Sequence, residues 1–235
     1  MHQLMALLLN NVSSGLRRHS VTTCSQWAEM YRIMGPPFAG KWSFKYHPWL
    51  RAIHDDNADI VVCRKGAQLG VTETALNKTF YTIDIKGVSV LYVLPAATPD
   101  AADFSSARFD PALELSPHLA SLFSDVKNIG HKRAGSANLY IRGSRSRSQL
   151  KSVPVGLTIL DEVDEMIQDH IPLVFERMAG QMQQQALLIS TPTIANYGID
   201  AYYESSTQQL YYFRCPHCTR SVSYTHLTLP TIYSV

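Results

Sequence analysis

Cysteine is scarce in this chain of 235 residues, which contains four. Cys24 and Cys63 stand alone, and only Cys215 and Cys218 lie close together, as a C-x-x-C pair. This spacing excludes the disulfide framework of a small secreted domain and favours a reducing compartment. Long hydrophobic runs are lacking as well, because the apolar stretch at residues 4–9 is far too short to span a membrane. We interpret that stretch as a helix and not as a signal peptide, and we expect no membrane partner.

An excess of one charge is also missing, since 21 Lys and Arg against 19 Asp and Glu leave a net charge of +2. No strong global field therefore attracts the chain to nucleic acid, and any contact with DNA requires a local patch. The densest basic stretch covers residues 131–151. Two interpretations of it stay open, namely a solvated hairpin with its loop and a contact with nucleic acid.

Short apolar strands alternate with helical patterns along most of the chain. The patterns predict core strands at residues 60–63, 88–94, 157–160 and 186–190, a hairpin strand at residues 139–141, and helices at residues 72–83 and 98–108. This alternation predicts an α/β fold with a mostly parallel sheet and helices on both faces. Helical patterns at residues 27–32 and 48–53 predict an N-terminal helical segment before the sheet.

A glycine-containing loop joins the first core strand to a helix, which is the context that a phosphate-binding loop requires. Its amides and the helix N-terminus favour an anion, so we expect the whole segment to bind ATP. The segment reads Arg64-Lys65-Gly66-Ala67-Gln68-Leu69-Gly70-Val71-Thr72-Glu73. Thr72 stands where a hydroxyl would ligate Mg²⁺. The match to G-x-x-x-x-G-K-[ST] is imperfect, because Lys65 takes the first glycine position and Val71 the lysine position. A plain strand-to-helix turn is the alternative.

Acidic and hydroxyl side chains follow two later strands. Asp161 and Glu162 come directly after the strand at residues 157–160. Ligands of α/β sheets bind at the carboxyl ends of strands, so Asp161 is expected to hold Mg²⁺ and Glu162 to activate the attacking water. Ser190 and Thr191 follow the last strand and are expected to couple hydrolysis to motion. The alternatives are an acidic first helical turn and an ordinary strand-end turn.

The order of these elements resembles the lambda-type family of phage terminase large subunits over roughly residues 27–218. Five segments carry the resemblance, namely Trp27-Ala28-Glu29, Lys65-Gly66-Ala67-Gln68-Leu69-Gly70, Leu160-Asp161-Glu162-Val163-Asp164, Ser190-Thr191-Pro192-Thr193 and Cys215-Pro216-His217-Cys218. In that family the phosphate-loop lysine is likewise displaced to the start of the loop, so Lys65 and Glu162 are the catalytic residues that the resemblance implies. Gly66 departs from the serine that often follows this lysine.

The resemblance implies a P-loop ATPase that uses ATP and Mg²⁺ to drive viral double-stranded DNA into a capsid. It further implies a terminase small subunit, a portal or procapsid and a homo-oligomeric ring as partners, with the host cytoplasm as location. Family members also carry a C-terminal nuclease domain, and we expect no nuclease activity from this chain. A helicase-type DNA-dependent ATPase and a non-enzymatic zinc or DNA-binding assembly module remain alternatives.

The expected division of the chain has four parts. Residues 1–58 form an N-terminal helical, adenine-side segment, and residues 59–210 form the P-loop ATPase core. Residues 211–221 begin a truncated zinc-knuckle-like element, in which Cys215 and Cys218 provide half of a Zn²⁺ site. Structural zinc needs four ligands, so this half-site is expected to be empty unless the untruncated protein completes it. Residues 222–235 resemble a translated sequencing adapter and are interpreted as a non-native tail.

Overall fold

A central sheet organises the chain in a computed structural model that describes residues 21–123, 128–151, 153–215 and 218–223. Its six strands are β3 Ile60–Arg64, β4 Val90–Leu94, β5 His131–Ala134, β6 Ala137–Gly143, β7 Leu157–Asp161 and β8 Gln185–Ser190. They lie in the order β3-β8-β7-β4-β6-β5. All neighbours pair in parallel except β5, which forms an antiparallel hairpin with β6. The predicted α/β fold with a mostly parallel sheet is confirmed.

Helices cover the sheet on both sides. They are α1 Cys24–Tyr31, α2 Leu50–Asp55, α3 Val71–Asp84, α4 Ala102–Phe104, α5 Asp110–Leu115, α6 Pro117–Leu122, α7 Arg147–Leu150, α8 Ile171–Phe175 and α9 Ile199–Glu204. Two π-helical segments, Ala97–Ala101 and Ser105–Phe109, flank α4. Three short 3₁₀ turns, Val163–Glu165, Gln168–His170 and Glu176–Met178, lie between β7 and β8. No helix within the described ranges is long and apolar enough to cross a bilayer.

Successive side chains of the inner strands point alternately into two hydrophobic cores, one on each face of the sheet. Every residue of β4 and β7 is buried. Tyr92 of β4 faces the core under α1, α3 and the helices of residues 102–122, whereas Leu91 and Val93 face the core under α7, α8 and α9. Burying one side chain of this size contributes roughly 1.5–3 kcal/mol. This double burial explains why the strands read as continuous apolar runs, and it confirms helices on both faces.

The N-terminal helical segment packs on helix α3. Thr23 caps α1 by accepting a hydrogen bond from the Gln26 amide at 3.3 Å. Trp27 is fully buried, and its indole Nε1 donates to Asp84 Oδ2 at 2.7 Å. These contacts join the segment to the end of α3, so the predicted helix around Trp27 becomes part of the main core.

A buried polar cluster joins α2 to α3. Lys78 Nζ donates to the carbonyl oxygens of Ile53, His54 and Asp56, at 3.1, 3.0 and 2.7 Å. His54 Nδ1 bonds to the Leu50 carbonyl at 2.8 Å, and its Nε2 accepts from the Asn77 amide at 3.0 Å. Burial lowers the pKa of His54 to about 4, so the ring is neutral in the folded protein near pH 7.

Several element boundaries differ from the sequence prediction by a few residues. α2 begins at Leu50 instead of residue 48, and β4 begins at Val90 instead of residue 88. Four short strands lie outside the main sheet, as the pairs β1 Ile33–Met34 with β2 Gly40–Lys41, and β9 Phe213–Arg214 with β10 Ser221–Val222. The predicted helix at residues 4–9 lies outside the described residues. The predicted division of the chain into four parts stays a prediction.

Candidate active site

The loop of residues 65–70 lies between β3 and α3, as predicted. Gly70 has φ +79°, the left-handed conformation that glycine adopts at little cost. A Cβ there would also lie 2.9 Å from Leu50 Cδ1, so the loop passes close to α2. Residues 66–69 are exposed, whereas Val71, at the start of α3, is buried. The loop is therefore open to a ligand on its outer side.

Lys65 and Glu162 meet across the carboxyl ends of the sheet. Lys65 Nζ donates to Glu162 Oε1 at 3.1 Å, with the lysine side chain 10% exposed and the glutamate 42% exposed. They follow β3 and β7, which are separated by β8 alone. The structure thus brings together the two residues that the sequence predicts to be catalytic.

Asp161 and Thr72 form the second predicted pair, on the buried side of the site. Burial raises the pKa of Asp161 and Glu162 adds to that rise, whereas Tyr92, Lys65 and Thr72 lower it. Asp161 Oδ2 accepts a hydrogen bond from the Tyr92 hydroxyl at 2.8 Å. Asp161 Oδ1 is buried and has no hydrogen-bond partner among the described residues. A carboxylate oxygen left without a partner, beside a threonine hydroxyl, fits a hard cation such as Mg²⁺.

Tyr92 was not predicted from the sequence to belong to the site. Its ring is fully buried and stacks on Phe104 at a centroid distance of 4.4 Å. Burial and the adjacent Asp161 raise the pKa of Tyr92 well above its ordinary value, so the phenol stays protonated and donates. The only signal in the sequence is a hydroxyl-bearing ring within an apolar strand.

Glu73, in the first turn of α3, is held by two arginines. Arg32 Nη2 lies 2.9 Å from Glu73 Oε2, and Arg108 Nη1 lies 3.5 Å from Glu73 Oε1. Arg32 is buried, whereas Arg108 is 55% exposed. These ion pairs offset the negative charge that Glu73 adds near the phosphate loop. Binding of ATP by Glu73 itself stays a prediction.

Arg64 points to α9 and away from the loop that follows it. Its Nη1 pairs with Asp200 Oδ1 and lies 3.4 Å from Glu204 Oε1. Its guanidinium carbon lies 3.8 Å from the ring centroid of Tyr203. Cation–π stacking and two carboxylates together fix this side chain on α9. The predicted role of Arg64 in binding ATP is not tested by this arrangement and stays a prediction.

Ser190 contacts the acidic segment directly. Its Oγ accepts from the Asp164 amide at 3.2 Å and donates to the Thr191 carbonyl at 3.2 Å. Thr191 is exposed. The Ser190 carbonyl also accepts from the Lys65 amide at 3.0 Å, which places both predicted coupling residues at the edge that carries Lys65 and Glu162.

The aromatic residues before β3 divide into two groups. Trp42 and Phe44 are buried in the core. Trp49 is half-buried, and its indole Nε1 donates to the Leu69 carbonyl of the loop at 3.2 Å. Tyr46 is 63% exposed. Trp49 and Tyr46 are therefore accessible aromatic side chains of the predicted adenine-side segment, as is Phe38, which is 54% exposed.

The remaining predicted residues lie apart from this site. Cys215 is buried and Cys218 is exposed. Within the described ranges, no group of three or more His, Cys, Asp and Glu side chains is placed to hold a metal ion. The zinc half-site stays a prediction. In the basic stretch, Lys132 is buried and pairs with Asp110 at 2.7 Å, whereas Arg145, Arg147 and Lys151 are exposed.

Comparison with known proteins identifies the family. A family model described as phage terminase large subunit gpA, ATPase domain, matches residues 37–231. The chain belongs to this family. Family membership gives it the ATPase role of a terminase large subunit in ATP-driven DNA packaging. The terminase assignment supports neither the helicase alternative nor the zinc or DNA-binding module. No curated protein matches the chain.

Solved terminase structures share the fold. The ATPase domain of the large terminase of Thermus phage P74-26 is 17% identical in sequence, with a TM-score of 0.56 over 74% of this chain and 76% of that chain. The large terminase of bacteriophage HK97 is 13% identical, with a TM-score of 0.63 over 79% of this chain and 41% of that chain. At these identities the likeness concerns the fold alone. This terminase chain spans less than half of the HK97 protein.

Proposed function

We propose that the chain hydrolyses ATP in a magnesium-dependent reaction, with Lys65 binding phosphate oxygens and Glu162 activating the attacking water. The observation that carries the proposal is the contact of Lys65 Nζ with Glu162 Oε1 at 3.1 Å. These residues come from separate strands and meet beside an exposed loop. Lys65 would then supply the cation that the usual P-loop lysine provides, because phosphate needs a nearby cation and not one particular chain position.

Asp161 and Thr72 would hold the Mg²⁺ ion in this proposal. The partnerless, buried Asp161 Oδ1 and the adjacent Thr72 hydroxyl support this assignment. When bound, Mg²⁺ supplies charge neutralisation of the phosphate oxygens. The amides of residues 66–70 and of the first turn of α3 would bind the remaining phosphate charge.

Glu162 is suited to accept the proton of the attacking water. It is 42% exposed, so water reaches its carboxylate. In the absence of nucleotide its charge is balanced by Lys65, and phosphate binding would draw Lys65 away and leave Glu162 free to act as a base. Ser190 and Thr191 would then pass the change from β8 to the segment after it.

The packaging partners belong to the proposal as well. They are double-stranded DNA, a terminase small subunit, a portal or procapsid and further copies of the chain in a ring, in the cytoplasm of the host. Arg145, Arg147 and Lys151 are exposed basic residues that could contribute a DNA contact. Zn²⁺ binding by Cys215 and Cys218 would require further ligands from outside the described residues.

The test is magnesium-dependent ATPase activity of the full chain, with and without duplex DNA. Lys65→Ala and Glu162→Gln are each expected to lower kcat at least about 100-fold, because each removes a group that stabilises or generates transition-state charge. Glu165→Gln is the matched control, since it removes one carboxylate charge from an exposed neighbour of Glu162.

Three outcomes separate the possibilities. Turnover that is lost in both variants and kept in the control supports one active site built from Lys65 and Glu162. Tight binding of nucleotide without turnover in the unmodified chain supports the loop and indicates that a ring is needed for hydrolysis. A folded chain that binds no nucleotide contradicts the proposed function.

A further inference from the structure

We propose that Asp164 is a positioning residue for ATP hydrolysis, which ties the turn that carries Glu162 to the segment of residues 190–199. The inference rests on the proposed function, because it assigns to Asp164 the task of orienting the general base. Asp164 is neither a predicted ligand of ATP nor a predicted ligand of Mg²⁺, and its carboxylate accepts hydrogen bonds from Thr193 and Ile199.

The carboxylate of Asp164 accepts hydrogen bonds from the segment of residues 190–199. Oδ2 accepts hydrogen bonds from the backbone amide and the hydroxyl of Thr193, both at 2.8 Å. Oδ1 accepts from the amide of Ile199 at 2.8 Å. Asp164 is 7% exposed, so these charge-assisted bonds are largely shielded from water. Three donors from one segment thus converge on one carboxylate.

The backbone of the two segments is fitted together around this carboxylate. The Asp164 amide donates to Ser190 Oγ at 3.2 Å, which adds a fourth bond in the opposite direction. Gly198 has φ +53°, and a Cβ at that position would clash with Asp164 Oδ1. A glycine is therefore required for α9 to begin against Asp164.

The turn held by Asp164 sets the direction of Glu162. Glu162 has φ 63° and ψ 54°, a left-handed conformation that costs a residue with a side chain about 1–2 kcal/mol. Such a conformation persists only where its surroundings hold it. Asp164 lies two residues further on and is bonded at both its amide and its carboxylate. If those bonds are lost, the turn can relax and Glu162 can swing away from Lys65.

The contacts of Glu162 and Asp164 connect α9 with the loop of residues 65–70 by two routes. Glu162 contacts Lys65, and Asp164 contacts the start of α9. On α9, Asp200 pairs with Arg64, the residue before Lys65. A displacement of Lys65 by nucleotide therefore acts on α9 from both sides, through Arg64 and through the turn after Glu162.

The test compares Asp164→Asn with Glu165→Gln in ATPase assays of the full chain. Asp164→Asn keeps the size of the side chain but turns one acceptor into a donor, which must face either the donors of Thr193 or the amide of Ile199. We expect kcat to fall on the order of 100-fold with KM changed less than about threefold, because a misplaced base affects turnover and not ground-state binding. The control is expected to stay within about twofold of the unmodified chain.

Thr193 supplies an independent test of the same contact. Thr193→Val removes the hydroxyl bond and is expected to lower kcat about tenfold, whereas Thr193→Ser keeps the hydroxyl and is expected to retain activity. In the double variant Asp164→Asn/Thr193→Val, kcat should be no lower than in Asp164→Asn alone, because both changes break one link. A merely structural role would lower the melting temperature and would predict neither the serine rescue nor this lack of additivity.

The outcomes distinguish this inference from the proposed function. Loss of turnover in Glu162→Gln together with near-normal kcat in Asp164→Asn would overturn the role of Asp164 alone. If the unmodified chain binds Mg-ATPγS without turnover, hydrogen–deuterium exchange decides instead. Nucleotide is then expected to slow exchange in residues 190–199 of the unmodified chain and not of Asp164→Asn. An unmodified chain whose residues 190–199 do not respond to bound Mg-ATPγS contradicts the inference, and absence of nucleotide binding contradicts both.

Discussion

Neutralising Glu162 and removing Lys65 should change ATP affinity in opposite directions. In the nucleotide-free chain the Lys65 ammonium is paired with Glu162 at 3.1 Å. ATP must compete with that carboxylate for the lysine. Glu162→Gln is therefore expected to abolish turnover while strengthening ATP binding, whereas Lys65→Ala is expected to abolish turnover and weaken ATP binding. If Lys65 and Glu162 only stabilised the fold, the two substitutions would not change the affinity for ATP in opposite directions.

The size of both effects follows from the geometry. Two unit charges separated by 3.1 Å attract by about 5 kcal/mol at an effective dielectric constant of about 20. Glu162 is 42% exposed, so screening reduces the net contribution to about 1 kcal/mol. Removing this competitor is expected to lower the Kd for ATP about fivefold. Losing a charged hydrogen bond from Lys65 to phosphate costs about 1.5–3 kcal/mol, which raises the Kd about 10–100-fold.

The assay is equilibrium titration of each variant with a fluorescent ATP analogue in the presence of Mg²⁺. Glu165→Gln again serves as the control and should leave the Kd unchanged, because it removes the same charge from the exposed neighbour. High salt should shrink the difference between Glu162→Gln and the unmodified chain, since screening weakens the pair that competes with ATP. Weaker ATP binding by Glu162→Gln would refute the idea that Glu162 competes for the lysine.

Three further predictions concern the supporting contacts. Tyr92→Phe removes the hydroxyl that donates to Asp161 Oδ2 and is expected to raise the Mg²⁺ concentration for half-maximal ATPase about tenfold. The folded-state pKa of His54 is about 4, below the ordinary value of about 6.5. Its contribution to stability is therefore complete above about pH 6.5, and up to about 3 kcal/mol of unfolding free energy is lost as pH falls toward 4. Lys78→Met leaves three carbonyl acceptors without their donor and is expected to cost about 3 kcal/mol in urea unfolding.

Each of these predictions has its own control. For Tyr92→Phe, an unchanged Mg²⁺ requirement with lower thermal stability would indicate a packing role alone. For His54, the difference in unfolding free energy between the unmodified chain and His54→Gln should shrink between pH 7 and pH 4, and a constant difference would contradict the assigned pKa. Lys41→Met changes an exposed lysine and should cost less than about 0.5 kcal/mol.

The parallel core was accessible from the sequence because its strands carry an unambiguous signal. Burial on both faces requires apolar residues at every position, and the segment at residues 157–160 shows this before two acids. The expectation that Asp161 and Glu162 belong to the site likewise followed from the rule that ligands gather at the carboxyl ends of strands. The family resemblance favoured Lys65 as the displaced phosphate-loop lysine, which the loop pattern alone left ambiguous, and this role stays a prediction.

Contacts between distant segments were beyond the sequence because no local pattern encodes them. Asp164 reads as one more acid in an acidic turn, and only the fold shows that Thr193 and Ile199 supply its donors. Arg64 reads as part of the phosphate loop, yet Asp200 holds it on α9, 136 residues further along the chain. The sequence patterns identify the strands whose carboxyl ends share one edge of the sheet. They do not show which side chains near that edge, such as Arg64, bind a distant helix instead.

The bond between Trp49 and the loop carbonyl of Leu69 gives this protein a built-in optical reporter. The chain has three tryptophans, and two of them, Trp27 and Trp42, are buried in the core. Trp49 alone lies half-buried, with its indole Nε1 3.2 Å from the Leu69 carbonyl in the loop of residues 65–70. Rearrangement of that loop would alter the polarity around one indole and leave the other two as a constant background. Intrinsic fluorescence in a stopped-flow instrument could then follow nucleotide arrival in real time, without any attached dye.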